Sequence, residues 1–155
     1  MKTIKLRFIS SRSLVGKIIR WITWSDWNHV DLILDDTTAF GASGKLGKVT
    51  RYSRNPDSHC HIAIVSIPVS DKKYDIFMEE VLSKEGALYD HKGIHGFLVR
   101  LNIHEDDKWF CSELLIDAMY KAEIIYFTEH AHKWSPDHMW KAISFCTSCE
   151  IEYVK

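Results

Sequence analysis

The feature that most limits the fold of this chain is an apolar stripe that begins at Cys111. The residues that follow it on one helical face are Leu114, Leu115, Ala118, Met119 and Ala122. This spacing predicts a helix that packs inward and carries a thiol in its first turn. The N–H groups of a first helical turn favour a thiolate and can donate to an oxyanion. A cysteine on such a stripe is also common as a small buried apolar residue.

Length and composition indicate a single domain of residues 1–155 with an ordinary core. Hydrophobic residues make up 46% of the chain, charged residues 26%, and the formal net charge is −1. Near-neutral charge gives no general attraction to nucleic acid or to anionic membranes. We therefore expect no nucleic-acid partner, and the composition leaves the oligomeric state open.

The sequence also predicts a cytoplasmic protein without a transmembrane segment. No stretch approaches the roughly 20 apolar residues of a membrane helix, and the first residues carry charges where a secretion signal is apolar. The four cysteines are too few and too unevenly spaced for a disulfide scaffold, so we expect a reducing compartment.

Hydrophobic periodicity predicts an α+β domain. Strands are expected over residues 4–9, 29–34, 37–42, 49–52, 61–67, 124–127 and 150–154. Helices are expected over residues 14–24, from a cap at Asp71 to Gly86, after Gly93 to about Leu101, from Cys111, and from a Ser135-Pro136 cap to about Phe145. We expect the run at residues 61–67 to be a central strand because it is rich in β-branched residues.

His29 is the first candidate partner for the Cys111 thiol. It opens a predicted strand directly after the polar loop of residues 25–28. Cysteine hydrolases need a thiolate, an imidazole that exchanges protons with it, and a third group that orients the imidazole. A histidine at a strand end is usually just a partly exposed residue, and separation along the chain does not tell whether the two side chains meet.

Four segments occur in a distinctive order: residues 25–32, which include His29, then 40–42, then 89–97, then 109–114, which include Cys111. This order resembles the circularly permuted NlpC/P60 branch of the papain-like proteins, often described as permuted papain-like amidases. In that branch the histidine strand precedes a Cys-Ser-Glu helix, and a Ser-Pro helix follows. The resemblance spans about residues 4–144 and implies a papain-like fold with a central, mostly antiparallel sheet and packed helices.

The resemblance implies that Cys111 is the nucleophile and His29 the base of a thiol hydrolase or acyltransferase acting at an amide or ester bond. Tyr89 would match the aromatic residue beside the thiol, and Ser112 is a further candidate for substrate contact. Trp27, in the loop before His29, could line the substrate cleft. The implied substrates are small peptides, such as those of cell walls, or acyl lipids, and no cofactor is implied.

The third catalytic residue is where the sequence departs from that family. Many relatives carry a polar residue on the strand after the histidine strand, whereas the matching position here is Gly41. Asp31 lies on the same strand face as His29 and could orient it, unless it pairs with a basic residue such as Arg51. Ser43 and a backbone carbonyl are the other options.

Two further patterns bear on the site. Residues 30, 32 and 34 form the cleaner apolar face of the His29 strand, so His29 would face solvent unless the sheet is covered on both sides. Like-charge repulsion from Asp106, Asp107 and Glu113 should oppose a thiolate at Cys111.

Two other functions compete with thiol hydrolysis. One is a metal-dependent hydrolase, because the chain has nine histidines, in pairs such as His91 with His95, His59 with His61 and His130 with His132, and a Cys146–Cys149 pair. A zinc site needs three or four convergent ligands, which none of these pairs supplies, so no metal is predicted. The other is a non-catalytic binding domain, which the glycine at position 41 favours.

Overall fold

The computed structural model describes residues 1–11, 17, 20–21, 25–54, 59–90, 108–126, 134–145 and 148–154. The predicted helical segment that ends near Leu101 lies outside these residues, as does most of the predicted helix over residues 14–24. Most of the histidines considered as metal ligands also lie outside them.

The described strands form one mixed sheet. They are β1 (Lys2–Ser11), β2 (His29–Ile33), β3 (Thr38–Ser43), β4 (Lys48–Ser53), β5 (His59–Val69), β6 (Leu88–Tyr89), β7 (Lys108–Trp109) and β8 (Glu150–Val154). Their order across the sheet is β7-β6-β4-β3-β2-β1-β5-β8. All neighbours pair antiparallel except β6 and β7, which are parallel. The expected α+β class and the mostly antiparallel sheet are therefore confirmed.

Three helices are described: α1 (Asp71–Ser83), α2 (Cys111–Lys121) and α3 (Pro136–Ser144). Ser135 caps α3 as predicted, with Pro136 as its first residue. The predicted cap of α1 at Asp71 is wrong, because the hydroxyl of Ser70 accepts the hydrogen bond from the N–H of Lys73.

Residues 124–126 do not form the strand that the sequence predicted. The N–H of Ile124 donates to the carbonyl of Met119 at 2.9 Å, and Glu123 has a φ of 53°. This hydrogen bond and the left-handed Glu123 end helix α2, and the backbone there turns back onto the helix. Among the described residues, no helix has both the length and the apolar character that a membrane span requires.

Helix α2 packs its apolar stripe into the core, as its spacing predicts. Leu114, Leu115 and Met119 are almost fully buried, in one cluster with Val30 and Leu32 of β2. At about 25 cal/mol per Å² of apolar surface, such contacts are the main term that fixes the helix against the sheet. Cys111 at the start of the helix is thereby held at a fixed place relative to β2.

The other face of β2 is also buried. Arg7, Asp31 and Ala39 point to that face, and none exposes more than 3% of its surface. The apolar face at Val30 and Leu32 is therefore not the sole buried one. His29, on the face of Asp31, keeps a side-chain exposure of 23% and is not directed into open solvent.

Candidate active site

A polar cluster lies on this second buried face and spans three strands. His29 and Asp31 come from β2, Arg7 from the facing position of β1, and Tyr52 from β4. Side chains two residues apart on a strand share a face, and paired residues of antiparallel strands do so as well. Strand pairing therefore brings Arg7 and Tyr52, which are far from β2 in the sequence, next to His29 and Asp31.

Asp31 forms a two-pronged ion pair with Arg7. Nε of Arg7 donates to Oδ1 at 3.0 Å and Nη2 donates to Oδ2 at 2.7 Å, with both side chains buried. Burial by itself would raise the pKa of Asp31, but its interactions with His29 and Arg7 outweigh that effect and hold the pKa below its usual value. Asp31 is therefore a fixed negative charge in the interior.

The hydroxyl of Tyr52 lies between His29 and Asp31. It is 3.0 Å from Nε2 of His29 and donates to Oδ2 of Asp31 at 3.1 Å. The direct distance from Nε2 of His29 to Oδ2 of Asp31 is 3.7 Å, which is an ion-pair contact too long for a hydrogen bond. The imidazole is thus connected to the buried carboxylate mainly through the tyrosine.

The structure brings Cys111 close enough to His29 for the thiol to influence the imidazole. Desolvation opposes protonation of His29, but its interactions with Asp31 and Cys111 raise its pKa from 6.5 to about 10. The His29 ring is therefore a positively charged imidazolium at neutral pH. Cys111 itself is buried and makes no disulfide.

Tyr89 is near the thiol, on the side of β6. Burial, followed by the charges of Cys111 and Asp90, raises the pKa of Tyr89, so its hydroxyl stays neutral. The Tyr89 ring lies over Gly44, where a Cβ would come within 3.3 Å of two ring carbons. The role of Tyr89 as the aromatic neighbour of the thiol stays a prediction of the resemblance.

Two of the residues expected to contact substrate lie elsewhere. Trp27 is 6% exposed and packs with the rings of Phe8 and Trp140, so it belongs to the core and does not line a cleft. Ser112 is fully buried and donates its hydroxyl hydrogen to the carbonyl of Trp134 at 2.5 Å. Ser112 therefore connects α2 to the segment before α3.

Two side chains considered in connection with the third residue make other contacts. The hydroxyl of Ser43 accepts from the N–H of Leu46 in a turn. Arg51 pairs with Glu85 at 3.2 Å at the surface, so the cation beside Asp31 is Arg7. Arg7 and Tyr52 were not among the residues that the sequence predicted for the site. The available signal was strand parity, since Arg7 lies on the polar side of the alternation in β1 and Tyr52 lies near the end of the short strand β4.

Glu113 does not carry the repulsive charge that the sequence suggested. It is 3% exposed, and Oε2 accepts a long hydrogen bond of 3.4 Å from the N–H of Phe110. Burial, despite that hydrogen bond, and the nearby charges of Asp90 and Asp117 raise the pKa of Glu113 to about 8. Its carboxyl is mostly neutral at pH 7 and does not oppose a thiolate. Asp106 and Asp107 lie outside the described residues.

The raised pKa of Glu113 predicts a pH dependence of stability. Between about pH 4.5 and 8 the folded state binds more protons at this residue than the unfolded state, so stability falls as pH rises. We expect a contribution of up to about 1.4 kcal/mol per pH unit, removed by Glu113→Gln. Urea denaturation at several pH values measures it. Glu79→Gln, at an exposed position of α1, should leave the slope intact; equal slopes in all three proteins would contradict the assignment.

Within the described part of the chain, no three His, Cys, Asp or Glu side chains converge in a way that could hold a metal ion. Cys111 and His29 form a pair, and the nearest carboxylate, Asp31, has both oxygens on Arg7. The described donors therefore do not fit a zinc site.

Comparisons with known proteins give a fold but no family. No protein-family model matches the sequence, and no curated protein matches it significantly. The structure is similar to the crystal structure of the metalloprotein yiiX from Escherichia coli O157:H7, of DUF1105. The TM-score is 0.66 with 15% identity, over 99% of this chain and 96% of that one. At this identity the similarity shows that the two chains share an α+β fold.

Proposed function

We propose that this chain is a cysteine hydrolase or acyltransferase with a permuted papain-like fold of the NlpC/P60 type, acting at an amide or ester bond. The observation that carries the proposal is the position of Cys111 at the N-terminus of α2, close enough to the partly buried His29 that the two interact and the pKa of the imidazole is raised. A thiol at a helix start beside an imidazolium is the arrangement that cysteine nucleophiles use.

In the proposed reaction, the Cys111 thiolate attacks the carbonyl carbon and the carbonyl electrons move to oxygen. N–H groups of the first turn of α2 donate to that oxyanion. The intermediate collapses to a thioester as the bond to the leaving group breaks, and His29 gives its proton to the departing amine or alkoxide. Water or another acceptor then attacks the thioester while His29 takes its proton, which regenerates the thiolate.

The proposed substrates are small peptide amides or acyl esters. Tyr89 supports this choice. Its hydroxyl stays neutral, and an uncharged aromatic ring in the site suits the uncharged acyl part of such a substrate. We propose the reducing cytoplasm as the place of the reaction, since it keeps a catalytic thiol reduced.

The proposal predicts that Cys111 is the most reactive thiol of the chain. At neutral pH, iodoacetamide should label Cys111 faster than Cys60, Cys146 or Cys149, because the imidazolium stabilises the thiolate by charge. Peptide-resolved mass spectrometry over time gives the four rates. His29→Ala should reduce the rate at Cys111 alone.

Labelling together with an esterase assay separates the competing functions. Equal rates at all four thiols would contradict activation of Cys111 and would favour a binding domain. A metal-dependent enzyme would instead hydrolyse p-nitrophenyl acetate only without chelator, and alkylation of Cys111 would not stop it.

A further inference from the structure

We propose that Tyr52 is the positioning residue that holds His29, in the role that a third side chain plays in cysteine hydrolases. This inference rests on the proposed function of Cys111 and His29. It differs from the expectation that Asp31 orients the imidazole directly, and it assigns Asp31 and Arg7 to the support of Tyr52.

The direction of the hydrogen bonds follows from the chemistry of Asp31. An ionised carboxylate can only accept, so the hydroxyl of Tyr52 must donate its hydrogen to Oδ2 of Asp31. The hydroxyl oxygen of Tyr52 must then accept the hydrogen bond from Nε2–H of His29, 3.0 Å away. Nε2 therefore keeps its hydrogen whether or not the ring is charged, which leaves Nδ1 as the nitrogen that exchanges a proton with the thiol of Cys111.

Tyr52 can hold this arrangement over a wide pH range. Burial and the negative charge of Asp31 raise the pKa of Tyr52 well above its usual value, so the hydroxyl keeps its hydrogen. Asp31 in turn cannot rotate away, because Arg7 binds both of its oxygens. The chain of contacts from Arg7 to His29 thus fixes the orientation of the imidazole and keeps a hydrogen on Nε2.

Gly41 provides the space that the tyrosine hydroxyl occupies. A Cβ at this position would lie 3.3 Å from the hydroxyl oxygen of Tyr52 and 3.3 Å from Cβ of Asp31. Both distances are tighter than ordinary contacts, so any side chain at position 41 would press on the Tyr52 hydroxyl and on Asp31. Gly41 stands where the resembled family has a polar residue. The space that the glycine leaves is occupied by the hydroxyl of Tyr52, a polar group from the next strand, β4.

The test is Tyr52→Phe, which removes the hydroxyl and keeps the ring. Nitrogen-15 NMR of His29 and the pH profile of Cys111 alkylation are the readouts, because a merely structural role would move neither. We expect the titration midpoint of His29 to fall, the alkylation profile to shift with it, and kcat for p-nitrophenyl acetate to fall about 10- to 100-fold with little change in KM. Tyr153→Phe, on the exposed strand β8, is the matched control and should change none of them.

Two further variants make every outcome decisive. Gly41→Ala should displace the hydroxyl and shift the His29 titration in the same direction as Tyr52→Phe, which covers the case that Tyr52→Phe does not fold. An unchanged His29 titration in both variants, with a changed one in Asp31→Asn, would overturn the role of Tyr52. If the wild-type protein has no esterase activity, the proposed function fails, while the NMR titration still reports on Tyr52.

Discussion

Replacement of Arg7 by methionine should lower the free energy of unfolding by about 3–5 kcal/mol. The reason is that Asp31, which is fully buried, would lose the cation that binds both of its oxygens. A buried charge without its partner carries most of its desolvation cost uncompensated. Urea denaturation at pH 7, monitored by circular dichroism, measures the difference.

A surface ion pair of the same types serves as the control. Arg51→Met breaks the contact with Glu85, where the two side chains are 53% and 39% exposed, and should cost less than about 1 kcal/mol. The double variant Arg7→Met with Asp31→Leu should recover much of the stability, because no charge is left buried. An Arg7→Met variant as stable as Arg51→Met would show that Asp31 is not held as described.

The second large effect is on turnover. If His29 has the proposed role, His29→Ala should lower kcat/KM for p-nitrophenyl acetate by about 10²- to 10⁴-fold, because the thiolate loses the imidazolium beside it and the attacking water loses its proposed base. Initial rates at pH 7 measure it. His61→Ala, at an exposed position of β5, is the control and should keep wild-type rates; an equal loss in both variants would argue against a specific role of His29.

The elements that the sequence predicted well are those with a strong local period. The stripe from Cys111 to Ala122 gave helix α2, and the alternation in residues 4–9 gave β1, because burial of one face is read directly from spacing. Strands β6 and β7 have two residues each, too few for any period to appear.

The contacts of the site depend on information that spacing does not carry. Tyr52 reaches His29 only because β4 pairs with β3 in one register, which places it opposite Ala39 and on the face of Asp31. A shift of one residue would turn Tyr52 to the other side of the sheet. Strand register is a tertiary property, so Asp31 was the nearest candidate visible in the sequence.

The charge state of a buried residue also depends on packing that the sequence does not show. Glu113 counts as an anion in the sequence, and only its burial behind the first turn of α2 keeps the carboxyl neutral at pH 7. Trp27 likewise has the loop position of a cleft residue, yet the rings of Phe8 and Trp140 bury it. The sequence shows which side chains are close to His29 along the chain, and packing decides which of them face the site.

The most direct test of the central claim is the mass of the covalent intermediate. The protein is mixed with p-nitrophenyl acetate or p-nitrophenyl octanoate, quenched in acid within the first turnovers, and digested for mass spectrometry. We predict one acyl group on the peptide that contains Cys111, removed by hydroxylamine and absent from Cys111→Ala. Ester hydrolysis that persists in Cys111→Ala, or acylation spread equally over the four cysteines, would contradict a nucleophilic Cys111.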